Sequence, residues 1–182
     1  MDLWKKFKPE WMVESIYNIT PDELKKLGYK GVLADLDNTL IAWNVKESSH
    51  DAIDWIGSLK DAGLPVVVIS NNFPKRVGPV AESLNVPFIG NSLKPSTAGY
   101  NRALELIGLE KDDVVMVGDQ ILTDILGANL CDIDSILVKP LINTDAGVTL
   151  FNRQVERFIL KQLRKNDDQL EWRRSLSEPI DK

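Results

Sequence analysis

Three short runs in this chain are apolar at every position, and they restrict the fold more than any other feature of the sequence. They are residues 32–34, 66–69 and 114–117. Strands with apolar side chains on both faces occur in parallel sheets that helices cover on each side. Amphipathic stretches separate these runs, and such alternation is typical of a doubly wound α/β domain. The sequence therefore predicts an α/β fold with a parallel sheet flanked by helices.

Five strands and six helices can be placed from the same patterns. The predicted strands are 31–36, 65–70, 86–90, 113–118 and 133–139, and the predicted helices are 21–27, 51–62, 74–84, 95–107, 121–130 and 151–165. The first helix has the clearest start, because Thr20 and Glu23 have the spacing of a capping box and Pro21 follows Thr20. Residues 1–165 are predicted to form one domain with a helical lead-in. The polar tail 166–182 is predicted to be poorly ordered.

Two carboxylates follow the first of these strands. Asp35 and Asp37 are two positions apart, so on an extended backbone their side chains face the same side. Carboxylates held that close repel each other unless a cation or a shared proton intervenes. The pair therefore indicates a metal site, a catalytic acid pair, or both. Asp-Asn-Thr is also common turn chemistry after a strand, and this motif alone does not separate the two interpretations.

The ends of the other strands carry more chemistry. Ligands of open α/β sheets bind at the carboxyl ends of the strands. The second strand ends in Ser70, followed by Asn71, and Lys94 comes just after the third. Asp119 and Asp124 follow the fourth strand. Hydroxyl, amide, ammonium and carboxylate groups are thus predicted to meet the Asp35 pair at one edge of the sheet.

This combination of residues resembles the four motifs of the haloacid dehalogenase superfamily. The matching segments are Asp35-Leu36-Asp37-Asn38-Thr39, Ser70, Lys94, and Gly118-Asp119 with Asp124. Within the superfamily the chain is most similar to the capless type IIIA phosphatases and, among those, to the YqeG group. The resemblance implies a haloacid dehalogenase-like Rossmannoid sheet. It also implies an Mg²⁺-dependent phosphatase that hydrolyses a phosphomonoester through an aspartyl-phosphate.

The resemblance further implies a role for each motif residue. Asp35 would be the nucleophile, and Asp37 the general acid and base. Asp35, Asp119 and the main-chain carbonyl of Asp37 would hold Mg²⁺, which prefers hard oxygen ligands, while Asp124 would orient this set. The residues expected to contact the phosphoryl group are Ser70, Asn71, Lys94 and Thr39.

The spacing of the motifs leaves no room for the cap domain that many superfamily members insert. Each of the two gaps, 35–70 and 70–94, can hold one helix and one strand, so an open site is expected. An open site admits lipid head groups as well as smaller phosphorylated substrates. Proteins similar to the YqeG group include phosphatidylglycerophosphate phosphatases, so peripheral membrane contact is a further expectation. The aromatic and basic stretch 4–11 and the basic helix 151–165 would suit such contact, although packing on the core explains both more simply.

Composition narrows the class of partner and the compartment. The 182 residues carry a net charge of −5, which argues against nucleic acid as the main partner. The single Cys131 fits a reducing compartment, and no segment resembles a signal peptide or a membrane span, so a cytoplasmic location is expected. A phosphotransferase and an interaction module with little or no turnover stay open as alternatives. A homo-oligomer is compatible with the sequence as well.

Overall fold

The computed structural model describes residues 3–45, 47–142, 147–167 and 170–178. Its centre is a sheet of six parallel strands in the order β1-β6-β5-β2-β3-β4. The strands are β1 (Trp11–Val13), β2 (Gly31–Ala34), β3 (Val66–Ile69), β4 (Phe88–Ile89), β5 (Val114–Gly118) and β6 (Asp134–Val138). The α/β class predicted from the apolar runs is confirmed.

In the described chain, a helix lies in each of the five connections between successive strands, and a sixth helix follows β6. They are α1 (Pro21–Lys26), α2 (His50–Asp61), α3 (Pro74–Ser83), α4 (Thr97–Ile107), α5 (Leu126–Leu130) and α6 (Gly147–Asn166). A π-helical turn, Ile121–Ile125, leads directly into α5. The predicted capping box is present at α1, where Thr20 N donates to Glu23 Oε2 at 3.0 Å and Glu23 N donates to Thr20 Oγ1 at 3.3 Å.

The two faces of the central strands β2, β3 and β5 are buried in two separate clusters, as their fully apolar sequences predict. Along β2, Val32 and Ala34 face a cluster that includes the inner faces of α2 and α3. Leu33 faces the opposite cluster, which includes Tyr100 of α4 and Ala128 of α5. Because alternate strand residues face opposite sides, covering both faces requires an apolar residue at every position. The apolar pattern therefore determines where the central strands lie in the sheet, and with them the positions of the polar residues that follow.

The prediction of five strands was wrong by one. The strand that was not predicted is β1, which pairs in parallel with β6 through Trp11, Met12 and Val13. It is three residues long and follows a basic and aromatic stretch, so it has no recognisable strand pattern. The aromatic residues before it pack on the protein: Trp4 and Phe7 contact a buried cluster that contains residues of α6. Of the two explanations for this stretch, packing is the one observed for its aromatic side chains.

The expectation of a poorly ordered tail does not hold for residues 170–178. Leu170 and Leu176 are buried. Arg173 N donates to Met12 O at 2.9 Å, and Glu14 N donates to Arg173 O at 2.9 Å, so this segment lies beside β1. Leu170 and Leu176 are six positions apart among mostly polar residues. This spacing is typical of neither a helix nor a strand, so the sequence did not predict that the segment is ordered. Residues 168–169 and 179–182 of the predicted tail lie outside the described residues.

The linkers between the motifs agree with the prediction of a capless fold. In the described chain, α2 is the one helix between β2 and β3, and α3 is the one helix between β3 and β4. Nothing large therefore covers this edge of the sheet from those linkers. Across the described residues, we find no helix that combines the length and apolarity needed to cross a bilayer.

Candidate active site

The motif residues meet at the carboxyl edge of the sheet, as predicted. Asp35 follows β2, Ser70 follows β3 and Asp119 follows β5. Asp35 N donates to Val117 O at 2.9 Å, so the neighbouring strand fixes the backbone of this residue. Asp35, Asp119 and Asp124 are all buried, with exposed fractions of the whole residue of 6%, 3% and 0%. Burial of three carboxylates at one point is costly unless cations accompany them.

Lys94 supplies one of these cations. Its Nζ lies 2.6 Å from Asp35 Oδ1 and 2.7 Å from Asp124 Oδ1, and it donates to Ile69 O at 2.8 Å. Burial alone would lower the pKa of the Lys94 ammonium, but Asp124 and Asp35 outweigh it and raise this pKa above its ordinary value. Lys94 is therefore a fixed positive charge beside Asp35.

The second oxygen of Asp35 is in a different situation. Asp35 Oδ2 is buried and has no hydrogen-bond partner. Burial raises the pKa of Asp35 well above its ordinary value; Lys94 opposes this rise, and the charges of Asp124 and Asp119 add to it. A buried carboxylate oxygen without a partner is rare in folded proteins and indicates a site for an ion or a ligand.

The carboxylates fit a divalent cation. One oxygen from each of Asp35, Asp119 and Asp124 lies within 4.8 Å of the other two. Burial raises the pKa of Asp119 to about 6, and Asp124 adds to this rise while Arg153 opposes it. Hard oxygen ligands, excess negative charge and the unpartnered Asp35 Oδ2 together suit Mg²⁺. The Asp37 side chain is outside this cluster. Binding of the metal by the main-chain carbonyl of Asp37 stays a prediction.

The Asp37 side chain is held by residues that follow β3. Its Oδ1 accepts a hydrogen bond from Arg76 at 2.8 Å, and its Oδ2 accepts one from Asn72 Nδ2 at 2.6 Å. The same guanidinium nitrogen of Arg76 donates to Trp43 O at 3.3 Å. The Asp37 side chain is 17% exposed, against 8% for Asp35. The two carboxylates of the first motif therefore have different surroundings, which suits two different roles.

Three other predicted contact residues hold the site together. Ser70 Oγ accepts from Asn72 N at 3.1 Å. Asn71 Oδ1 accepts from Lys94 N at 2.7 Å and Asn71 Nδ2 donates to Lys94 O at 3.0 Å, so this amide fixes the loop that carries Lys94. Thr39 Oγ1 donates to Asp119 Oδ1 at 3.3 Å. Contacts of these side chains with a phosphoryl group stay predictions.

Asp124 depends on a glycine for its place. It lies against Gly118, where an added Cβ would overlap its carboxylate. Gln120 N donates to Asp124 Oδ2 at 3.0 Å, which leaves Oδ1 for Lys94. The Gly-Asp pair at the end of β5 is thus a packing requirement as well as a source of charge.

Sequence reasoning missed two residues of α6 that reach the site. Arg153 donates to the main-chain oxygen of Asp119 at 2.8 Å and also pairs with Asp119 Oδ2. Glu156 is buried, accepts from Arg153 at 3.2 Å and from Leu122 N at 3.2 Å, and has its pKa raised to about 7 by burial. Arg153 is one of several basic residues in the predicted helix 151–165, and the sequence does not separate it from the others. The one available signal was an Arg and a Glu three positions apart next to an apolar stripe.

The fold is a parallel α/β sheet. Paired aspartates follow its first motif strand, and a lysine and further aspartates follow later strands. This combination defines a class of hydrolase. The model of the haloacid dehalogenase-like hydrolases matches residues 5–132, and the chain belongs to this family. The resemblance seen in the four motifs is confirmed at that level.

Relatives agree with this assignment, and a solved structure shares the fold. The chain is 42% identical over 170 residues to the probable phosphatase YqeG of Bacillus subtilis (strain 168), covering 93% of this chain and 98% of that protein. It is 24% identical over 189 residues to phosphatidylglycerophosphate phosphatase 1, chloroplastic/mitochondrial, of Arabidopsis thaliana, covering 95% of this chain and 50% of that protein. The cobalt-bound deoxy-D-mannose-octulosonate 8-phosphate phosphatase of Haemophilus influenzae shares the fold, with a TM-score of 0.50, 16% identity, and coverage of 76% of this chain and 90% of that one.

Proposed function

We propose that the protein is an Mg²⁺-dependent phosphatase that hydrolyses a phosphomonoester through an aspartyl-phosphate on Asp35. The observation that carries this proposal is the state of the Asp35 carboxylate. Lys94 holds one of its oxygens at 2.6 Å, while the other is buried without a partner. A carboxylate fixed in this way, at the edge of the sheet where ligands bind, is suited to act as a nucleophile. The 42% identical relative is named as a probable phosphatase, which supports the same reaction class.

In the first step, a carboxylate oxygen of Asp35 forms a bond to phosphorus while the bond from phosphorus to the ester oxygen breaks. Asp37 donates a proton to the departing oxygen, which leaves as an alcohol. In the second step, Asp37 takes a proton from water, the water oxygen bonds to phosphorus, and Asp35 is released as a carboxylate. The more open position of Asp37, held by Arg76 and Asn72, suits a group that exchanges protons with the leaving group and with water.

The surrounding residues stabilise charge in both steps. Lys94 places a fixed positive charge beside the attacking oxygen, and Ser70 offers a buried hydroxyl at the end of the neighbouring strand. Asp35, Asp119 and the main-chain carbonyl of Asp37 would hold Mg²⁺, with Asp124 orienting the set. Bound there, the ion would offset the repulsion between a carboxylate and an anionic phosphate. Lys94 and Ser70 are proposed to contact the phosphoryl oxygens, with Asn71 and Thr39 beside them.

A lipid phosphomonoester is the finer proposal for the substrate. Loops at the site carry four large apolar side chains that are at least 41% exposed, namely Trp43, Val45, Phe73 and Leu93. Exposed apolar groups on loops next to an open site suit an acyl chain or the surface of a bilayer. The Arabidopsis relative is named as a phosphatidylglycerophosphate phosphatase, which favours the same class of substrate. Peripheral contact with a membrane would then bring substrate to the site.

The test is phosphate release with Mg²⁺ from an aryl phosphate, phosphosugars, nucleotides and phosphatidylglycerophosphate in vesicles. Asp35→Asn keeps the shape of the side chain and removes the nucleophile, so release should fall to background. Asp54→Asn, on the exposed face of α2, is the matched control and should retain full activity. No release from any substrate by folded protein would favour the interaction module. Release from soluble esters alone would remove the lipid proposal and leave the phosphatase.

A further inference from the structure

The last carboxylate of the candidate site, Asp124, lies in an unusual turn. Residues 121–125 form one turn of π-helix, and Asp124 is fully buried within it. The oxygen of Gln120 accepts from Asp124 N at 2.9 Å and from Ile125 N at 3.3 Å. Turns of this kind account for fewer than about 1% of residues in soluble proteins and are frequent at functional sites. Because the turn is rare, contacts from the surrounding protein are expected to select it over a regular α-helix.

Tyr100 of α4 supplies such a contact. Its hydroxyl donates to Asp124 O at 2.9 Å and also lies 3.2 Å from Thr123 O. Its ring packs on the backbone of α5 at Gly127, where an added Cβ would lie 2.5 Å from the ring. Tyr100 therefore spans the junction between the π-helical turn and α5, and its hydroxyl reaches the main chain of the residue that carries the carboxylate.

The hydroxyl of Tyr100 is not needed to fill the core. Tyr100 is 0% exposed, and its cluster is apolar, with members such as Leu33, Met116 and Ala128. Burial of a hydroxyl among apolar groups costs free energy unless the hydroxyl forms a hydrogen bond. Phenylalanine would fill nearly the same volume without that requirement. The hydrogen bond to the main chain of Asp124 is therefore what a tyrosine adds at this position.

The carboxylate of Asp124 is held by the same connection of the chain. Lys94 lies six positions before Tyr100, and its Nζ is 2.7 Å from Asp124 Oδ1. The same Nζ is 2.6 Å from Asp35 Oδ1. Asp124 Oδ2 accepts from Gln120 N at 3.0 Å. The connection between β4 and β5 thus holds both the main chain and the side chain of Asp124, so a shift of this backbone would move the partner of Lys94.

We propose that Tyr100 is a positioning residue of the candidate active site, whose hydroxyl holds the main chain of Asp124 and thereby fixes Lys94 and the carboxylates that would bind Mg²⁺. This inference rests on the proposed function, because it assigns another residue to the same site. Tyr100 is fully buried and acts through Asp124. Loss of its hydroxyl should therefore weaken metal binding and slow catalysis without abolishing either.

The test removes the hydroxyl and keeps the ring, in Tyr100→Phe. Titration calorimetry of the full chain with Mg²⁺ alone measures the effect on the cation site. We expect binding to weaken about tenfold, the lower end of the range for outer contacts around a metal, with a comparable fall in kcat for phosphate release. Tyr29→Phe is the matched control, because Tyr29 is 5% exposed and its hydroxyl donates to Asp134 Oδ2 at 2.6 Å, at the amino end of β6. This control should keep the wild-type Mg²⁺ affinity and kcat.

A second comparison distinguishes positioning from a general loss of stability. In an Asp124→Asn protein, Tyr100→Phe should lower the Mg²⁺ affinity by less than about twofold, because the carboxylate that it positions is already gone. Both tyrosine changes keep the aromatic ring, so both proteins should fold, and urea unfolding gives the loss of stability in each. A general loss of stability would act equally in the two Asp124 backgrounds.

Two results would overturn the inference. One is an unchanged Mg²⁺ affinity in Tyr100→Phe; the other is an equal loss of affinity with and without the Asp124 carboxylate. The same loss in Tyr29→Phe would also reject it, because the effect would then not depend on Asp124. A protein that releases phosphate while Tyr100→Phe binds Mg²⁺ normally contradicts this inference alone. A protein in which the Tyr100 hydroxyl controls Mg²⁺ affinity but which releases no phosphate contradicts the proposed function alone.

Discussion

Arg76 and Asp37 form a hydrogen-bonded ion pair of 2.8 Å that joins α3 to the first motif. Asn72 holds the other oxygen of the same carboxylate at 2.6 Å, so both oxygens of Asp37 are positioned by residues that follow β3. In the proposed mechanism, Asp37 has to meet the departing oxygen with its proton. Arg76 acts on the reaction through Asp37 and is therefore a positioning residue.

Arg76→Gln should slow the hydrolysis of alkyl phosphates more than the hydrolysis of aryl phosphates. Alkoxide leaving groups need a proton, whereas a nitrophenolate leaves without one, so misplacing Asp37 affects the first class selectively. We expect kcat to fall about tenfold for an alkyl ester, within the range of general acid catalysis, and by less than about threefold for nitrophenyl phosphate. Steady-state kinetics with the two esters measures this difference. Lys75→Gln, the exposed neighbour on α3, serves as the control.

A double-variant cycle separates positioning from a direct role in binding. Arg76→Gln should have almost no further effect on the alkyl ester when Asp37 is already Asn. Equal slowing of both esters, or full additivity in the double variant, would show that Arg76 acts elsewhere.

Removal of the Arg153 charge should strengthen metal binding. Arg153 pairs with Asp119, a proposed Mg²⁺ ligand, and places a positive charge next to the cation site. Arg153→Gln should therefore raise the affinity for Mg²⁺ roughly tenfold at low salt, and the gain should shrink at high salt. Titration calorimetry without substrate measures it, with Arg102→Gln on the exposed face of α4 as the control. Weaker Mg²⁺ binding in Arg153→Gln would mean that this side chain organises the metal ligands instead.

Gly118→Ala should damage both the fold and the site. The added Cβ would overlap the Asp124 carboxylate, which packs directly on Gly118 and pairs with Lys94. We expect a loss of about 1–3 kcal/mol in the free energy of unfolding, the usual cost of overpacking, together with loss of phosphate release. Gly57→Ala is the matched change, because nothing lies within 4 Å of its added Cβ. In the middle of α2 it should raise stability by about 0.5–1 kcal/mol. Urea unfolding compares the two, and equal stabilities would refute the packing argument.

We expect Glu23 to stabilise the packing of residues 170–178 on the domain, and this stabilisation should depend on pH. Its Oε1 accepts hydrogen bonds from Ser177 N at 2.8 Å and from Ser177 Oγ at 2.6 Å. Burial would raise the pKa of Glu23, but the hydrogen bonds from Ser177 and Thr20 outweigh it and lower this pKa to about 2. Because the folded-state pKa lies below the ordinary value of 4.5, the stabilisation is complete above pH 4.5. It is lost as the pH falls toward 2.

Glu23→Gln should accordingly lower the free energy of unfolding by about 1–3 kcal/mol at pH 7, as expected for hydrogen bonds to a charged group. The difference from the wild-type protein should shrink steadily between pH 4.5 and pH 3, the lower limit of a practical urea titration. Glu105 is exposed on α4, so Glu105→Gln should change neither the free energy of unfolding nor its dependence on pH. A difference that stays constant over this pH range would show that the Glu23 charge is not responsible.

The sequence was informative where one physical requirement acts on each position. Strands covered on both faces have to be apolar throughout, so β2, β3 and β5 were evident, and the polar residues after them had to meet at one edge. Contacts that depend on the docking of a distant element were not evident. Arg153 reaches Asp119 across 34 positions, and nothing local distinguishes it from the solvated cations of α6. Arg76 and Asn72 were missed for the same reason, since their partner Asp37 lies in another loop.

The short outer strands also have a consequence for the behaviour of the protein at high concentration. A strand at the edge of a sheet exposes unpaired backbone groups and can recruit another chain, which is one route to aggregation. Here β4 is two residues long and β1 is three. The backbone of Arg173 occupies the outer side of β1 through its bonds to Met12 and Glu14. A sheet that tapers at both sides, with one side already covered by its own chain, offers few sites for intermolecular pairing.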